Sequence, residues 1–254
     1  MRILALGDVV GKRAVAYLGE RLWEFRRAQA IDAVIANGEN ATDIRGLCAA
    51  AAEELLGSGV DVITLGNHAF GQRNLYPMLE QDPRVIRPAN FPPEAPGMGH
   101  TVLTLGGWRI LCMNVNGRAF MDPYADPFAT VEKLLARESG KYDYAVLDIH
   151  AEATSEKLAI ARVFDGRIHV MFGTHTHVTT ADEQILPGGS GYQTDLGMCG
   201  PLNGILGTAS DCVIAKFRTQ MPTRFSVADG SIKAHGTVFE LNGSKVSSVK
   251  RVTF

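Results

Sequence analysis

Short apolar runs alternate with segments of helical periodicity along most of the chain. Residues 3–6, 31–36 and 60–65 predict buried strands, because each run is short, apolar and soon followed by glycine. Residues 15–29 and 49–56 space their apolar side chains as amphipathic helices do. Strands that alternate with helices predict an α/β fold, in which helices cover a sheet with substantial parallel pairing.

The same pattern continues through the rest of the chain. It predicts strands at residues 144–150, 168–172, 184–186 and 192–194, and helices at 127–137, 154–164 (capped by Thr154) and 210–218. Two hairpins are expected, 101–105 with 108–115 and 232–241 with 245–253, the second turning at Asn242-Gly243. Residues 83–96 carry five prolines and predict an irregular connection. No repeat or linker interrupts the pattern, so we expect one domain over residues 1–254.

Composition narrows the classes of function. The chain has 254 residues, 46% of them apolar, which suffices for a large core. Its net charge of −2 indicates no basic face, so we expect no long nucleic acid as partner. The four cysteines lack metal-site spacing, and no apolar run reaches the length of a membrane span. We therefore expect a cytoplasmic protein that does not bind membranes.

Polar residues follow the predicted strands where function is expected. Ligands of open α/β sheets bind outside the carboxyl ends of the strands. The two histidines of Gly173-Thr174-His175-Thr176-His177 would point the same way if the backbone stayed extended beyond its strand. The strand-end residues are Asp8, Glu39, Asn40, Asn67, His68, His150, His175 and His177.

This donor set predicts a metal centre. Carboxylates, amide oxygens and imidazoles suit Mn, Fe or Zn better than Ca or Mg, which prefer more oxygen ligands. Eight candidates exceed the three or four protein ligands of one catalytic zinc, and so favour two ions. Two ions about 3.5–4 Å apart would clamp the attacking and leaving oxygens of a displacement at phosphorus.

These residues also carry a resemblance to a known family. The order of motifs resembles the calcineurin-like metallophosphoesterases and, nearly end to end, their bacterial YmdB-type branch. Val10 stands where the wider superfamily has a histidine, and Glu39 replaces its bridging aspartate; the branch shares both changes. The motifs are Gly7-Asp8-Val9-Val10-Gly11, Asn37-Gly38-Glu39-Asn40-Ala41, Gly66-Asn67-His68, His150-Ala151-Glu152-Ala153-Thr154-Ser155-Glu156-Lys157, Gly173-Thr174-His175-Thr176-His177 and Tyr192-Gln193-Thr194-Asp195-Leu196-Gly197-Met198.

The resemblance implies a fold, a ligand set and a reaction. The fold would be a four-layer αββα sandwich of two mixed β-sheets flanked by helices. Two metal ions, Fe or Mn by preference and Zn as an alternative, would share Glu39 and a bridging hydroxide that attacks phosphorus. His68 would be the general acid for the leaving alkoxide, the substrate a 2′,3′-cyclic nucleotide, and the assembly a homo-oligomer. Asp8, Glu39, Asn40 and His177 would hold the first metal, and Glu39, Asn67, His150 and His175 the second.

Several alternatives stay open. Two divalent ions carry more charge than Asp8, Glu39 and a hydroxide cancel, so the site would attract a small anionic phosphoester. That substrate could also be a phosphomonoester or a phosphoprotein, or the site could serve a non-catalytic regulator that binds metal or nucleotide. Glu152 and Glu156 are typical of a charged helix N-terminus. Asp195 could orient a ligating imidazole or belong to a plain turn.

Overall fold

Strands and helices alternate through the structure, a computed structural model that describes residues 1–43 and 45–254. The first half contains β1 (Arg2–Leu6), β2 (Asp8–Val9), α1 (Lys12–Ala28), β3 (Ala33–Asn37), α2 (Ala49–Gly57), β4 (Val62–Thr64), the 3₁₀ turn Arg73–Leu75, α3 (Tyr76–Gln81), β5 (Val85–Ile86), β6 (His100–Leu105) and β7 (Trp108–Asn116). The second half contains α4 (Pro127–Glu138), β8 (Tyr144–His150), α5 (Thr154–Phe164), β9 (Val170–Thr174), β10 (Gln184–Ile185), β11 (Gly191–Gln193), β12 (Met198–Pro201), α6 (Ser210–Thr219), β13 (Ile232–Asn242) and β14 (Lys245–Thr253).

The strands form two mixed sheets. The first has the order β2-β12-β13-β1-β3-β4-β5, with β14 paired to β13. The second has the order β10-β11-β9-β8-β7-β6. The centre of each sheet is parallel, β1-β3-β4 in the first and β7-β8-β9 in the second. Both predicted hairpins are antiparallel pairs, β6 with β7 and β13 with β14.

Apolar clusters on both faces of each sheet produce four layers. Between the sheets, Ile35 of β3 and its neighbours pack with Val146 of β8 and Phe172 of β9. Leu18 of α1 lies in the cluster on the outer face of the first sheet. Ile160 of α5 lies in the matching cluster on the second sheet. This arrangement confirms the predicted αββα sandwich of mixed sheets.

Several predicted boundaries and details differ from the structure. The strand predicted at residues 168–172 begins later and runs through Gly173 to Thr174, because pairing of Thr174 with His150 extends the parallel ladder. Thr154 is not the N-cap of α5; Ala153 occupies that position without a side-chain cap. The two-residue strands β2 and β5 and the four-residue strand β12 are too short for a periodicity to reveal them. β5 lies inside the proline-rich connection, as an edge strand.

Among the described residues, no helix combines the length and the apolar character that a membrane crossing requires.

Candidate metal centre

The carboxyl ends of the central strands of both sheets meet at one place. The start of β2 and the loops after β3 and β4 in the first sheet, together with the end of β8 and the turn after β9 in the second, supply the polar side chains. Parallel pairing within each sheet aligns these ends, and packing of the two sheets brings the two rows together. The residues that meet here are all eight predicted from the sequence, Asp8, Glu39, Asn40, Asn67, His68, His150, His175 and His177.

One group of donors surrounds the ring of His150, which is fully buried. Its Nε2 lies 3.1 Å from Glu39 Oε1, 3.0 Å from Asn67 Oδ1 and 3.1 Å from His175 Nδ1. One ligand atom each from Glu39, His150 and His175 falls within 4.8 Å of the others, a spacing that can hold a metal ion. These four residues are the set that the family resemblance implied for the second metal.

A second group lies around Asp8 and His177 and reaches Glu39 through Asn40. His177 Nε2 is 3.6 Å from Asp8 Oδ1 and 3.2 Å from Asn40 Nδ2. Asp8 Oδ1 is buried and has no hydrogen-bond partner among residues 1–43 and 45–254. A buried carboxylate oxygen without a donor is costly for a fold, and a bound cation would satisfy it. The residues present therefore fit a metal at this position.

The Asn40 amide fits this group in one of its two orientations. Its Nδ2 lies 3.2 Å from Glu39 Oε1, and its Oδ1 lies 3.2 Å from His68 Nδ1. The two ends of an amide are assigned from hydrogen bonding rather than seen directly. Exchanging them places the carbonyl oxygen toward His177, where it could ligate a metal, and the NH₂ group toward His68.

The pKa values reflect this crowding of charges. Burial acts to raise the pKa of Glu39, but His150 and His68 hold it well below its usual value. The pKa of Asp8 is lowered in the same way, by His177 against the effect of burial. Burial opposes protonation of His177, yet the adjacent Asp8 raises the His177 pKa to about 9. Burial, with His150 close by, lowers the pKa of His175 to about 4.

A chain of hydrogen bonds fixes the orientation of His150. Thr174 Oγ1 donates to Asp148 Oδ1 over 2.7 Å, so it accepts from His150 Nδ1 at 2.9 Å. The proton of a neutral His150 ring therefore stands on Nδ1 and leaves Nε2 free as a ligand. Burial raises the pKa of Asp148 to about 6. Neither Asp148 nor Thr174 was identified from the sequence as a site residue.

The other two histidines are also held through one ring nitrogen. His177 Nδ1 lies 2.9 Å from the carbonyl oxygen of Leu206, to which it donates, and its Nε2 faces Asp8. His175 Nε2 lies 3.1 Å from Glu152 Oε2, and its Nδ1 faces His150. Glu152 therefore contacts a candidate ligand, a role that its place near a helix N-terminus did not indicate. Glu156 accepts from the N–H groups of Arg118 and Ala119 instead.

The turn that carries His175 and His177 is not extended. His175 has φ 97° and His177 has φ 63°, so the expected geometric reason for their convergence was wrong. The turn is fixed by Asp195, whose Oδ2 accepts from Thr176 Oγ1 at 2.8 Å and from Lys157 Nζ at 2.6 Å. Both members of this ion pair are buried. Asp195 thus orients the backbone between the histidines and does not contact an imidazole ring.

His68 lies at the open side of the centre. Its backbone N–H donates to Glu39 Oε2 over 3.0 Å, and its side chain is 29% exposed. The ring lines a cavity of about 310 Å³ together with Glu152, His175 and His177. Two histidines outside the centre have structural contacts: His169 accepts from the backbone N–H of Ala145, and His100 lies beside Glu138.

The chain is similar to known proteins over nearly its whole length. It is 40% identical to the 2′,3′-cyclic-nucleotide 2′-phosphodiesterase of Bacillus subtilis over 250 residues, 98% of this chain and 95% of that protein. The crystal structure of a hypothetical protein from Thermus thermophilus matches with TM-score 0.95 and 41% identity, over 100% of this chain and 99% of the other. The crystal structure of a novel phosphatase from Mycoplasma pneumoniae matches with TM-score 0.94 and 32% identity, over 100% and 93% of the two chains.

These relatives confirm the prediction of a hydrolytic phosphoesterase. The match to a family covers almost the whole sequence, residues 4–252. The chain therefore belongs to the YmdB-like protein family.

Proposed function

We propose that this protein is a dinuclear-metal phosphodiesterase that hydrolyses small phosphodiesters, 2′,3′-cyclic nucleotides foremost. The observation that carries the proposal is the convergence of two donor groups that both adjoin Glu39, one of which contains Asp8 Oδ1, an oxygen without a hydrogen-bond partner among residues 1–43 and 45–254. The name of the Bacillus subtilis relative supports the choice of substrate.

The two donor groups would each hold one ion. Fe or Mn is our preferred metal and Zn the alternative, because all three accept mixed oxygen and imidazole ligands. When bound, such ions supply Lewis acidity and lower the pKa of a coordinated water. The chain's part is to anchor Nδ1 of His150 and of His177 through the Thr174 and Leu206 contacts, so that Nε2 of each ring is the nitrogen aimed inward. Asp8, Glu39, Asn40 and His177 would hold the first ion, and Glu39, Asn67, His150 and His175 the second.

His68 would protonate the oxygen that leaves phosphorus. Its ring is the most exposed of the four imidazoles of the centre, so it can reach a substrate in the cavity. If the Asn40 amide ligates through its oxygen, its NH₂ group donates to His68 Nδ1. Because Nδ1 faces Asn40 and also lies 3.3 Å from Glu39 Oε1, Nε2 is the nitrogen available to the leaving group.

A phosphomonoesterase is the second candidate. The Mycoplasma pneumoniae relative is titled a phosphatase, and a cavity of about 310 Å³ also admits a monoester. Comparison of cyclic diesters with monoesters would rank the two activities. A regulator that binds nucleotide without turnover would fail on both substrates.

We also propose that residues 1–254 form one domain, because the core between the sheets joins β1 and β3 to β8 and β9. Cytoplasmic location and a homo-oligomeric state stay predictions from the sequence and its resemblance.

Replacement of His68 separates catalysis from metal binding. With Mn added, we expect His68→Ala to lower kcat for adenosine 2′,3′-cyclic monophosphate by about 10²–10⁴-fold, because general acid assistance is lost. Its metal content, measured by elemental analysis, should stay at two ions per chain. Asp8→Asn is the contrasting variant and should lose metal. Metal loss in His68→Ala would show that His68 is a ligand.

The hydrogen bond between Thr174 and His150 should control metal affinity. Thr174→Val removes the acceptor for His150 Nδ1, and we expect transition-metal affinity to fall by about 10–100-fold in titrations of the apoprotein. Thr64→Val is the matched control, since Thr64 Oγ1 also donates to Asp148 but does not contact His150. Equal losses in both variants would assign the effect to Asp148 alone.

The absence of a side chain at Gly66 provides the space in which His150 and Glu39 lie. A Cβ at this position would overlap His150 Nε2 and Glu39 Oε2, so we expect Gly66→Ala to abolish binding at the second metal position. Gly19→Ala, on an exposed face of α1 with nothing near the added carbon, should bind both ions. A Gly66→Ala protein that keeps two ions at unchanged affinity would contradict the proposed ligand set.

Single-tryptophan proteins test whether the two sheets unfold together. Trp23 lies on α1, beside the first sheet, and Trp108 lies on β7 of the second. Trp23→Phe and Trp108→Phe each leave one tryptophan as the fluorescent reporter. If the chain forms one domain, the urea midpoint seen by fluorescence should equal the midpoint seen by circular dichroism in each variant. Phe172→Ala in the core between the sheets should lower the free energy of unfolding by about 3–5 kcal/mol, and by the same amount whichever tryptophan reports it. A shift confined to Trp108 would indicate separate domains.

A further inference from the structure

A second and larger cavity adjoins the metal centre. It has a volume of about 890 Å³, against about 310 Å³ for the cavity above the metal ligands. Arg45 and Phe225 line both cavities and so form their common border. Small-molecule pockets span about 300–1,000 Å³, which places the inner cavity at the lower limit. A substrate whose phosphate reaches the metals can therefore extend past Arg45 and Phe225.

The wall of the outer cavity is tied to the metal centre by one loop. Val227 pairs with Thr208, and the N–H of Ala209 donates to the carbonyl oxygen of Ser226 over 2.9 Å. In the same loop, the carbonyl oxygen of Leu206 accepts from His177 Nδ1. The wall that carries Phe225 is thus positioned relative to a candidate ligand, and the two cavities can act on one bound molecule.

The charges of the outer cavity favour an anion. Arg45 and Arg224 line it, and Asp43 is the one carboxylate among the described lining residues, which gives an excess of one positive charge. Within residues 1–43 and 45–254, neither arginine forms an ion pair. Exposed guanidinium groups without a carboxylate partner suit the planar, two-point recognition of phosphate.

An aromatic ring stands beside these charges. Phe225 is half-buried at the border, with polar neighbours such as Thr223, Ser226 and Gln72. Stacking of a nucleic-acid base on an aromatic ring is worth about 1–3 kcal/mol and tolerates any base. These features together match one nucleotide. The two arginines suit its phosphate, the ring of Phe225 suits the face of its base, and the hydrogen-bonding side chains suit the polar edge of the base.

We infer that the outer cavity binds a second nucleotide, so that the preferred substrate is a short oligonucleotide with a 2′,3′-cyclic phosphate at its 3′ end. The inference rests on the proposed function and names the substrate class of the same site. Water would add to the terminal phosphorus, one ribose P–O bond would break, and that ribose oxygen would take up a proton to give a phosphomonoester. The phosphate that links the last two nucleotides stays intact and lies against Arg45 and Arg224, with a base on Phe225.

This substrate agrees with the charge of the whole chain. A net charge of −2 does not favour binding of a long nucleic acid, whereas two nucleotides need only the local excess of these arginines. The inference therefore concerns short oligonucleotides and not polymer binding.

The test compares two substrates on the Mn-loaded protein. One is adenosine 2′,3′-cyclic monophosphate and the other is the adenylyl dinucleotide that ends in the same cyclic phosphate. We expect kcat/KM to be at least about tenfold higher for the dinucleotide, mainly through a lower KM, and the preference to shrink as salt is raised because a phosphate contact is screened. Equal kcat/KM values for the two substrates would overturn the inference while the proposed function stands.

Variants assign the preference to the outer cavity. Arg224→Gln should reduce the ratio of the two kcat/KM values about fivefold or more, and Phe225→Leu should reduce it while Phe225→Tyr keeps it. Arg162→Gln, which removes the same charge from α5 on the far face of the second sheet, is the matched control and should keep the full ratio. A ratio that Arg224→Gln and Phe225→Leu both leave intact would also overturn the inference. If the unsubstituted protein hydrolysed neither substrate, the proposed function would be overturned, and the inference with it.

Discussion

Two carboxylates buried where the sheets meet impose the constraint on which the rest of the site depends. Asp8 is fully buried and Glu39 nearly so, and an uncompensated charge in such a place costs several kcal/mol. The chain compensates with donors from other strand ends. His175 donates its backbone N–H to Asp8, and His68 donates its own to Glu39. The donor to Glu39 comes from a neighbouring strand end of the same sheet, whereas the donor to Asp8 follows β9 and therefore requires that both sheets be formed and packed together.

The same junction carries a buried polar layer behind the ligands. Asp148 lies in the middle of the contact between the sheets and accepts from Asn37, Thr64 and Thr174. Low polarity strengthens each of these hydrogen bonds and also makes any unpaired member costly. The layer consequently fixes the relative position of β3, β4, β8 and β9, and through Thr174 it fixes the tautomer of His150. The orientation of a ligand thus depends on the packing of the sheets.

The sequence reveals the candidate ligands for a simple reason. Parallel strands place their carboxyl ends at one edge, so a polar residue after each strand marks the site without knowledge of side-chain geometry. Asp148 escapes this rule because it lies within an apolar strand, where one polar residue resembles a satisfied core group. Glu152 escapes it because a carboxylate before a helix has a simpler electrostatic explanation. The roles of Asp148 and Glu152 depend on contacts between distant segments, and such contacts produce no periodic pattern in the sequence.

The turn around His175 and His177 shows how a correct prediction can rest on a wrong reason. Extended backbone would aim both rings by alternation, but both residues have positive φ, which is unfavourable for side chains with a Cβ and costs of order 1–3 kcal/mol each. Surrounding structure must hold them there. Lys157 and Asp195 provide that hold: Lys157 donates to the carbonyl oxygen of Thr174 and to Asp195, which in turn accepts from Thr176. The buried ion pair thereby stabilises a strained turn. The conformation of that turn places one imidazole in the donor group around His150 and the other in the group around Asp8.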